Sequence, residues 1–376
     1  MLFLHGTDLL ARSALLLPAE LFAAHQNALT ARVHEYKSFA DLLHWIDVER
    51  PSIVFLFSGY LLTTTGLVST KELEQLLRIL NERGCIVVTN DPCWGLLASK
   101  VPMTSDLPAH SFLEKARRAW LEWIIPRRLR QSYRILKHLV HCYPTSVGSA
   151  LSGQGLRTVG YFNTRLLTSF DRADSAATPD GPRSRDRPYW LFILAGLDYS
   201  IQVGVHGKRE FVDSLVARLR DANVAGRHAV LIAPDECLTA VKQSGESLDC
   251  SLIGFCDYGQ YVSLLLLAEY AFYWNVGSSS SLYRLANSLP VFFFDRGHVS
   301  RWFQSFFERT VEFLYFGHAP MILDHHEPLQ VNRLEPLAER YRESAADIVR
   351  QLKRLPEPEA LLARLTSSEI AGPANS

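Results

Sequence analysis

The chain has 376 residues, 48% of them hydrophobic and 21% charged, with 39 Lys and Arg balanced against 39 Asp and Glu. That length exceeds one ordinary core and points to two domains, while the neutral balance gives no sign of nucleic acid as a partner. The six cysteines form no CxxC or zinc-spaced array, no signal peptide is visible, and no apolar run nears the ~20 residues of a membrane span, so the expectation is a cytoplasmic chain with reduced thiols.

Apolar runs alternate with helical patterns along the chain. Residues 2–5 read as a short strand, and residues 52–57 (SIVFLF) as a buried strand that breaks at Ser58 and Gly59. Residues 70–83 place Leu73, Leu76, Leu77 and Leu80 on one helical face, and Gly84 is a helix-ending glycine. Residues 85–89 form the next strand, which ends at Asn90, Asp91 and Pro92. This rhythm implies parallel strands with helices over the sheet. Residues 171–188 (DRADSAATPDGPRSRDRP) have no periodicity and no large apolar residue, the composition of a linker or surface loop.

The rhythm then restarts. Strands are predicted over 189–195, 229–233, 251–255, 271–275 and 291–295, and helices over 208–220, 235–243, 259–269 and 279–287. Residues 196–207 (GLDYSIQVGVHG) read as the loop after the first of these strands. The tail, 334–365, reads as helical apart from a break between Pro356 and Pro358, and its helices are expected to pack back on the first domain.

Chemistry concentrates after the strand at 271–275. Gly277 breaks the strand, and Ser278, Ser279, Ser280 and Ser281 open a helix. The first turn of a helix has unpaired N–H groups at the positive end of its dipole, so a helix start after a parallel strand suits an anion. Gly277 lets the backbone approach a ligand, the serine hydroxyls add donors, and Arg284 follows one turn on. The plainer alternative is that Ser278 only caps the helix.

This segment resembles the C-terminal, donor-binding domain of GT-B fold glycosyltransferases and of the related nucleotide-sugar 2-epimerases. The likeness rests on Asp257 and Tyr258, on Tyr261 with residues 264–268, on the strand at 271–275, on Gly277 to Ser280, and on Ser288-Leu289-Pro290 before the next strand. Two positions depart from the family pattern. Tyr283 stands where an acidic residue often holds the donor ribose, and Ser288 where a glycine precedes the proline. The nucleotide is therefore open, a CMP-linked donor included.

The resemblance implies an α/β chain of two Rossmann-like parallel-sheet domains facing a cleft. Residues 1–168 would hold an acceptor, 169–188 form the linker, 189–333 hold the nucleotide-sugar, and 334–376 form the terminal helices. The implied activity is metal-independent transfer of a sugar from a nucleotide donor to an acceptor hydroxyl, in bacterial glycan or glycoconjugate synthesis. No cofactor is implied beyond the nucleotide-sugar substrate. A nucleotide-sugar epimerase and an inactive GT-B-like scaffold are the alternatives.

Gly277 to Ser281, Tyr258, Tyr283 and Arg284 are the donor-binding candidates. Lys208 and Arg209 are added because cations stabilise charge on a leaving phosphate; the alternative is a solvated charge pair. In the first domain Asp91 and His5, at strand carboxyl ends, are candidates for the base that takes the acceptor proton, and Tyr60 for acceptor contact. Residues 112–139 carry eight Lys and Arg against two Glu, with Trp120 and Trp123 among them. Arg127 and Arg128 in this stretch are candidates for contact with an anionic membrane face or an acidic acceptor; the alternative is a solvated basic face with the tryptophans packed inward. Asp324, His325, His326 and Glu327 invite a metal reading, but no third ligand is evident, so no metal is expected.

Overall fold

The protein is described here by a computed structural model covering residues 2–5, 32–35, 38–56, 59–63, 68–90, 112–143, 157–162, 188–254, 256, 258–278 and 280–366. The chain divides into two compact units. The first comprises Met1–Thr164, Arg301–Phe316 and Leu352–Ser376; the second comprises Arg165–Ser300 and Gly317–Gln351. The expected linker, 171–188, lies outside the described residues except for Pro188.

In the first unit, strands β1 (Leu2–His5), β2 (Arg32–Glu35), β3 (Ile53–Leu56), β4 (Ile86–Thr89), β5 (Val140–Tyr143) and β6 (Arg157–Gly160) form one parallel sheet in the order β2-β1-β3-β4-β5-β6. Both faces are covered, so β3 reads as a continuous apolar run. Val54 and Leu56 pack with Leu42 and Ile46 of α1 (Phe39–Glu49), with Leu73, Leu76 and Leu80 of α2 (Thr70–Glu82), and with Leu129 and Leu136 of α3 (Phe112–Leu136). Ile53 and Phe55 point the other way, against Val88, Val140, Cys142 and the last helix (Pro358–Thr366), which buries Leu361, Leu362 and Leu365 there. Both ends of α2 are fixed locally. Ser69 and Glu72 form a reciprocal capping box. At the other end Gly84, at φ +68°, lets its own N–H reach the Asn81 carbonyl and the Cys85 N–H reach the Leu80 carbonyl.

In the second unit, β7 (Tyr189–Ile193), β8 (His228–Ile232), β9 (Cys250–Ile253), β10 (Tyr270–Tyr273), β11 (Val291–Phe293) and β12 (Met321–Ile322) form a second parallel sheet in the order β12-β11-β10-β7-β8-β9. Phe192, Phe272 and Phe292 stack across it, with ring centroids 4.9 and 5.4 Å apart. The helices here are α4 (Gly196–His206), α5 (Lys208–Val224), α6 (Asp235–Gln243), α7 (Tyr258–Leu267), α8 (Ser281–Ala286), α9 (His298–Trp302) and α11 (Val331–Leu352); α10 (Gln304–Leu314) belongs to the first unit, as does the last helix, α12. Helix α5 seals one face of the sheet through Phe211, Leu215, Val216 and Leu219.

Two expectations change. Residues 196–206 are a helix rather than a loop: the buried positions of α4 are Asp198, Tyr199 and Gln202, so its inner face carries no apolar period to read. The serine-run helix is shorter than 279–287, spanning Ser281–Ala286, because Ser280 stands outside it as the N-cap.

Candidate functional site

Strands β7 and β10 are neighbours, and the chain order runs outward from them in opposite directions. At such a switch point the connections leave for opposite faces of the sheet, and a crevice opens outside the strands' carboxyl ends. Polar groups from three strand ends converge there. Asn275, after β10, accepts the Gly277 N–H through its side-chain oxygen at 2.9 Å and directs its amide at Asp198 Oδ1, 3.4 Å away. Asp198 sits in the first turn of α4 and is only 6% exposed. His298 Nδ1 lies 3.5 Å from the same carboxylate oxygen. Gln202, one turn further along α4, donates to Asp295 Oδ2 at 2.5 Å, and Asp295 Oδ1 accepts the Arg296 N–H at 2.7 Å. Gly297, at φ +87°, must be glycine: a Cβ would stand 2.1 Å from Asn275 Oδ1. No motif links Asp198, Gln202, Asn275, Asp295 and His298, which meet only through the sheet order.

Of the serines expected to add hydroxyl donors at an anion-binding helix start, Ser280 and Ser281 turn inward. Ser280 is buried, and its Oγ accepts from the Tyr261 hydroxyl at 2.9 Å, with the Tyr273 hydroxyl at 3.2 Å and Ser278 Oγ at 3.0 Å. Burial pushes the Tyr261 phenol up to about 12 and Tyr273 well above its ordinary value, so both stay protonated. Ser281 is buried and donates to the Ser278 carbonyl at 2.7 Å. Ser280 and Ser281 are thus committed inside the protein. Gly277 is exposed and Ser278 half-buried, while Ser279 lies outside the described residues.

Arg284 is not placed to meet an anion. It is fully buried and donates to the carbonyls of Leu265 (2.6 Å), Ala268 (2.7 Å), Glu269 (3.0 Å) and Pro290 (2.6 Å), tying the end of α7 to the start of β11. Desolvation lowers its pKa to about 10, which leaves it charged at neutral pH. Tyr283 is likewise buried. Ser288, where the family pattern has glycine, takes φ +55°. Its N–H bonds to the Leu285 carbonyl and that of Leu289 to the Arg284 carbonyl, a helix end that glycine suits best.

The other expected residues separate in the same way. Because 196–206 is helical, Lys208 and Arg209 open the following helix instead of closing a loop at the strand end. They pair with Glu236 at 3.0 Å and Asp213 at 3.8 Å, and Arg209 is almost fully exposed. Tyr60 is a core residue, 0% exposed, whose hydroxyl bonds to His141 Nε2. Tyr258 opens α7 and His5 ends β1, but their side chains lie outside the description, as does Asp91 altogether. On α3 the tryptophans face outward: Trp120 and Trp123 are 54% and 56% exposed, and the Arg127 guanidinium lies 5.0 Å over the Trp123 ring. Arg127 and Arg128 are exposed beside them. His325 and His326 gain a neighbour that spacing could not supply, His206 at the end of α4.

No family model and no curated protein matches the chain by sequence. Solved structures do match. A spinosyn rhamnosyltransferase aligns over 97% of this chain and 99% of its own, at 12% identity and a TM-score of 0.52. A structure assigned as a UDP-N-acetylglucosamine 2-epimerase from Listeria monocytogenes aligns over 100% of this chain and 98% of its own, at 11% identity and a TM-score of 0.56. Together with the two parallel-sheet units, this likeness gives the chain a GT-B fold.

Proposed function

We propose that this GT-B chain transfers a sugar from a nucleotide-activated donor to an acceptor hydroxyl, and that its second unit holds the donor. The observation that carries the reading is the polar convergence at the β7–β10 switch point. The exposed turn at Gly277 leaves room for a phosphate beside the strand end, and the carboxylates of Asp198 and Asp295 suit the hydroxyls of a ribose or sugar. These carboxylates take the part that an acid at position 283 would otherwise play. Arg284, Ser280 and Ser281 support this site from beneath rather than touching the ligand. The first unit would hold the acceptor, with Asp91 or His5 as the base that removes the acceptor proton. Outward Trp120 and Trp123 beside Arg127 and Arg128 suit an anionic membrane surface, and hence a lipid-linked acceptor in glycan synthesis on the cytoplasmic face. No helix among the described residues is long and apolar enough to cross a membrane.

The likeness to a 2-epimerase supports a second reading, in which Asp198 and His298 serve as acid and base on the sugar itself. Incubation with a panel of nucleotide-sugars, without acceptor, separates the two by nuclear magnetic resonance. Slow release of free sugar and nucleotide supports a transferase, and an inverted centre on an intact nucleotide-sugar supports an epimerase. Neither product, with no nucleotide bound, would leave an inactive scaffold.

A further inference from the structure

The three histidines in the second unit belong neither to the switch-point cluster nor to the proposed reaction. His206 ends α4, and Gly207, at φ +85°, turns the chain directly into α5. His325 and His326 lie in the segment between β12 and α11. The ring centroids of His206 and His325 are 4.5 Å apart, those of His325 and His326 are 3.9 Å apart, and those of His206 and His326 are 5.6 Å apart. One ring nitrogen from each residue lies within 4.8 Å of the other two.

We propose that His206, His325 and His326 bind one divalent transition-metal ion of the zinc class, clamping the α4–α5 corner to the β12–α11 segment. Zinc holds imidazole nitrogen at about 2.0–2.1 Å in tetrahedral geometry, which sets the ligating nitrogens about 3.4 Å from one another. Small rotations of the side chains bring the observed cluster to that spacing. Three imidazoles leave the fourth position to water; His206 and His326 line an open depression whose other charged groups are Glu210, Asp213, Lys208, Arg209 and Arg218.

Two further observations favour a ligand over mere stacking. His325 is 8% exposed, and its Nε2 is buried without a hydrogen-bond partner among the described residues. A buried nitrogen left without a partner destabilises the fold unless something binds it. The backbone around it is also held in place in advance. Ser214 Oγ donates to the His325 carbonyl at 2.8 Å, the His326 N–H donates to Asp324 Oδ1 at 2.9 Å, and the Leu329 N–H donates to Asp221 Oδ2 at 2.8 Å. Binding needs neutral imidazoles and displaces only water, so no co-reactant is involved. The proposal stands apart from the glycosyl-transfer reading, since it uses none of the same residues.

The test is a zinc titration of the full-length, tag-free chain, stripped with chelator and competed against a chromophoric chelator. One equivalent should bind per chain, zinc should raise Tm where magnesium does not, and cobalt should give the intense visible bands of a tetrahedral site. His206→Gln and His326→Gln, at half-buried and exposed positions, should each weaken zinc binding at least tenfold with circular dichroism unchanged. His325→Gln should do the same or fail to fold. Less than one equivalent bound, no zinc-specific Tm rise, or parental affinity in His206→Gln and His326→Gln would each overturn the proposal.

Discussion

At the scale of single residues, burial separates those that hold the site together from those that reach it. Arg284 is conspicuous in the sequence, a cation one turn after a serine run, yet it spends its guanidinium on four carbonyls. Arg284→Met should cost about 3–5 kcal/mol in chemical denaturation, because it leaves buried acceptors unpaired; a residue serving only a ligand would lower affinity at unchanged stability. Ser288 gives the opposite sign. An L-residue in the left-handed region is strained by about 1 kcal/mol, so Ser288→Gly should raise stability by about that amount. His141 sets a pH dependence. It is buried and neutral: its Nδ1–H donates to the Leu139 carbonyl and its Nε2 accepts from Tyr60, and desolvation lowers its pKa from 6.5 to about 4. Between those values the unfolded chain binds the extra proton, so stability is full above about 6.5 and falls as pH drops toward 4. The loss is on the order of 3 kcal/mol. Denaturation curves of parent and His141→Gln across that range should show the variant less pH-dependent.

At the scale of elements, apolar period made most of the structure legible. The leucines of α2 follow from a period of 3.6, its end from Gly84, and β3 and β10 from short continuous apolar runs. Helix α4 escaped because two of its three buried positions, Asp198 and Gln202, are polar, and the switch-point cluster escaped because its members follow three different strands. The serine run was legible as a turn into a helix, but not as a hydroxyl network. Hydrogen bonds to Tyr261 and Tyr273 depend on how α7 packs, which no local pattern encodes. Helix α12 supplies a test at this scale. Leu361, Leu362 and Leu365 cover one face of the first sheet, and each buried leucine is worth about 2 kcal/mol. Truncation before Pro358 should therefore lower the unfolding free energy of the first unit by several kcal/mol, about what three buried leucines contribute, while a probe on Trp190, in the core of the second unit, should report a transition close to the parent's.

In the whole molecule, the proposed reaction would divide its labour between the two parallel-sheet units of a GT-B fold, with the donor in the second. If the outward tryptophans of α3 recruit a lipid-linked acceptor, the chain should co-float with vesicles containing anionic lipid and release at high salt; Trp120→Ala combined with Trp123→Ala should abolish flotation, and equal flotation with neutral vesicles would argue against charge. The proposed reaction depends first on a nucleotide binding at the carboxyl ends of β7 and β10. Isothermal titration with UDP, TDP, GDP, CMP and their sugar conjugates tests it most directly. At least one nucleotide should bind one-to-one, and Gly277→Val and Asp198→Asn should each weaken it at least tenfold in a chain that still melts cooperatively. No binding by any nucleotide, or parental affinity in both variants, would contradict it.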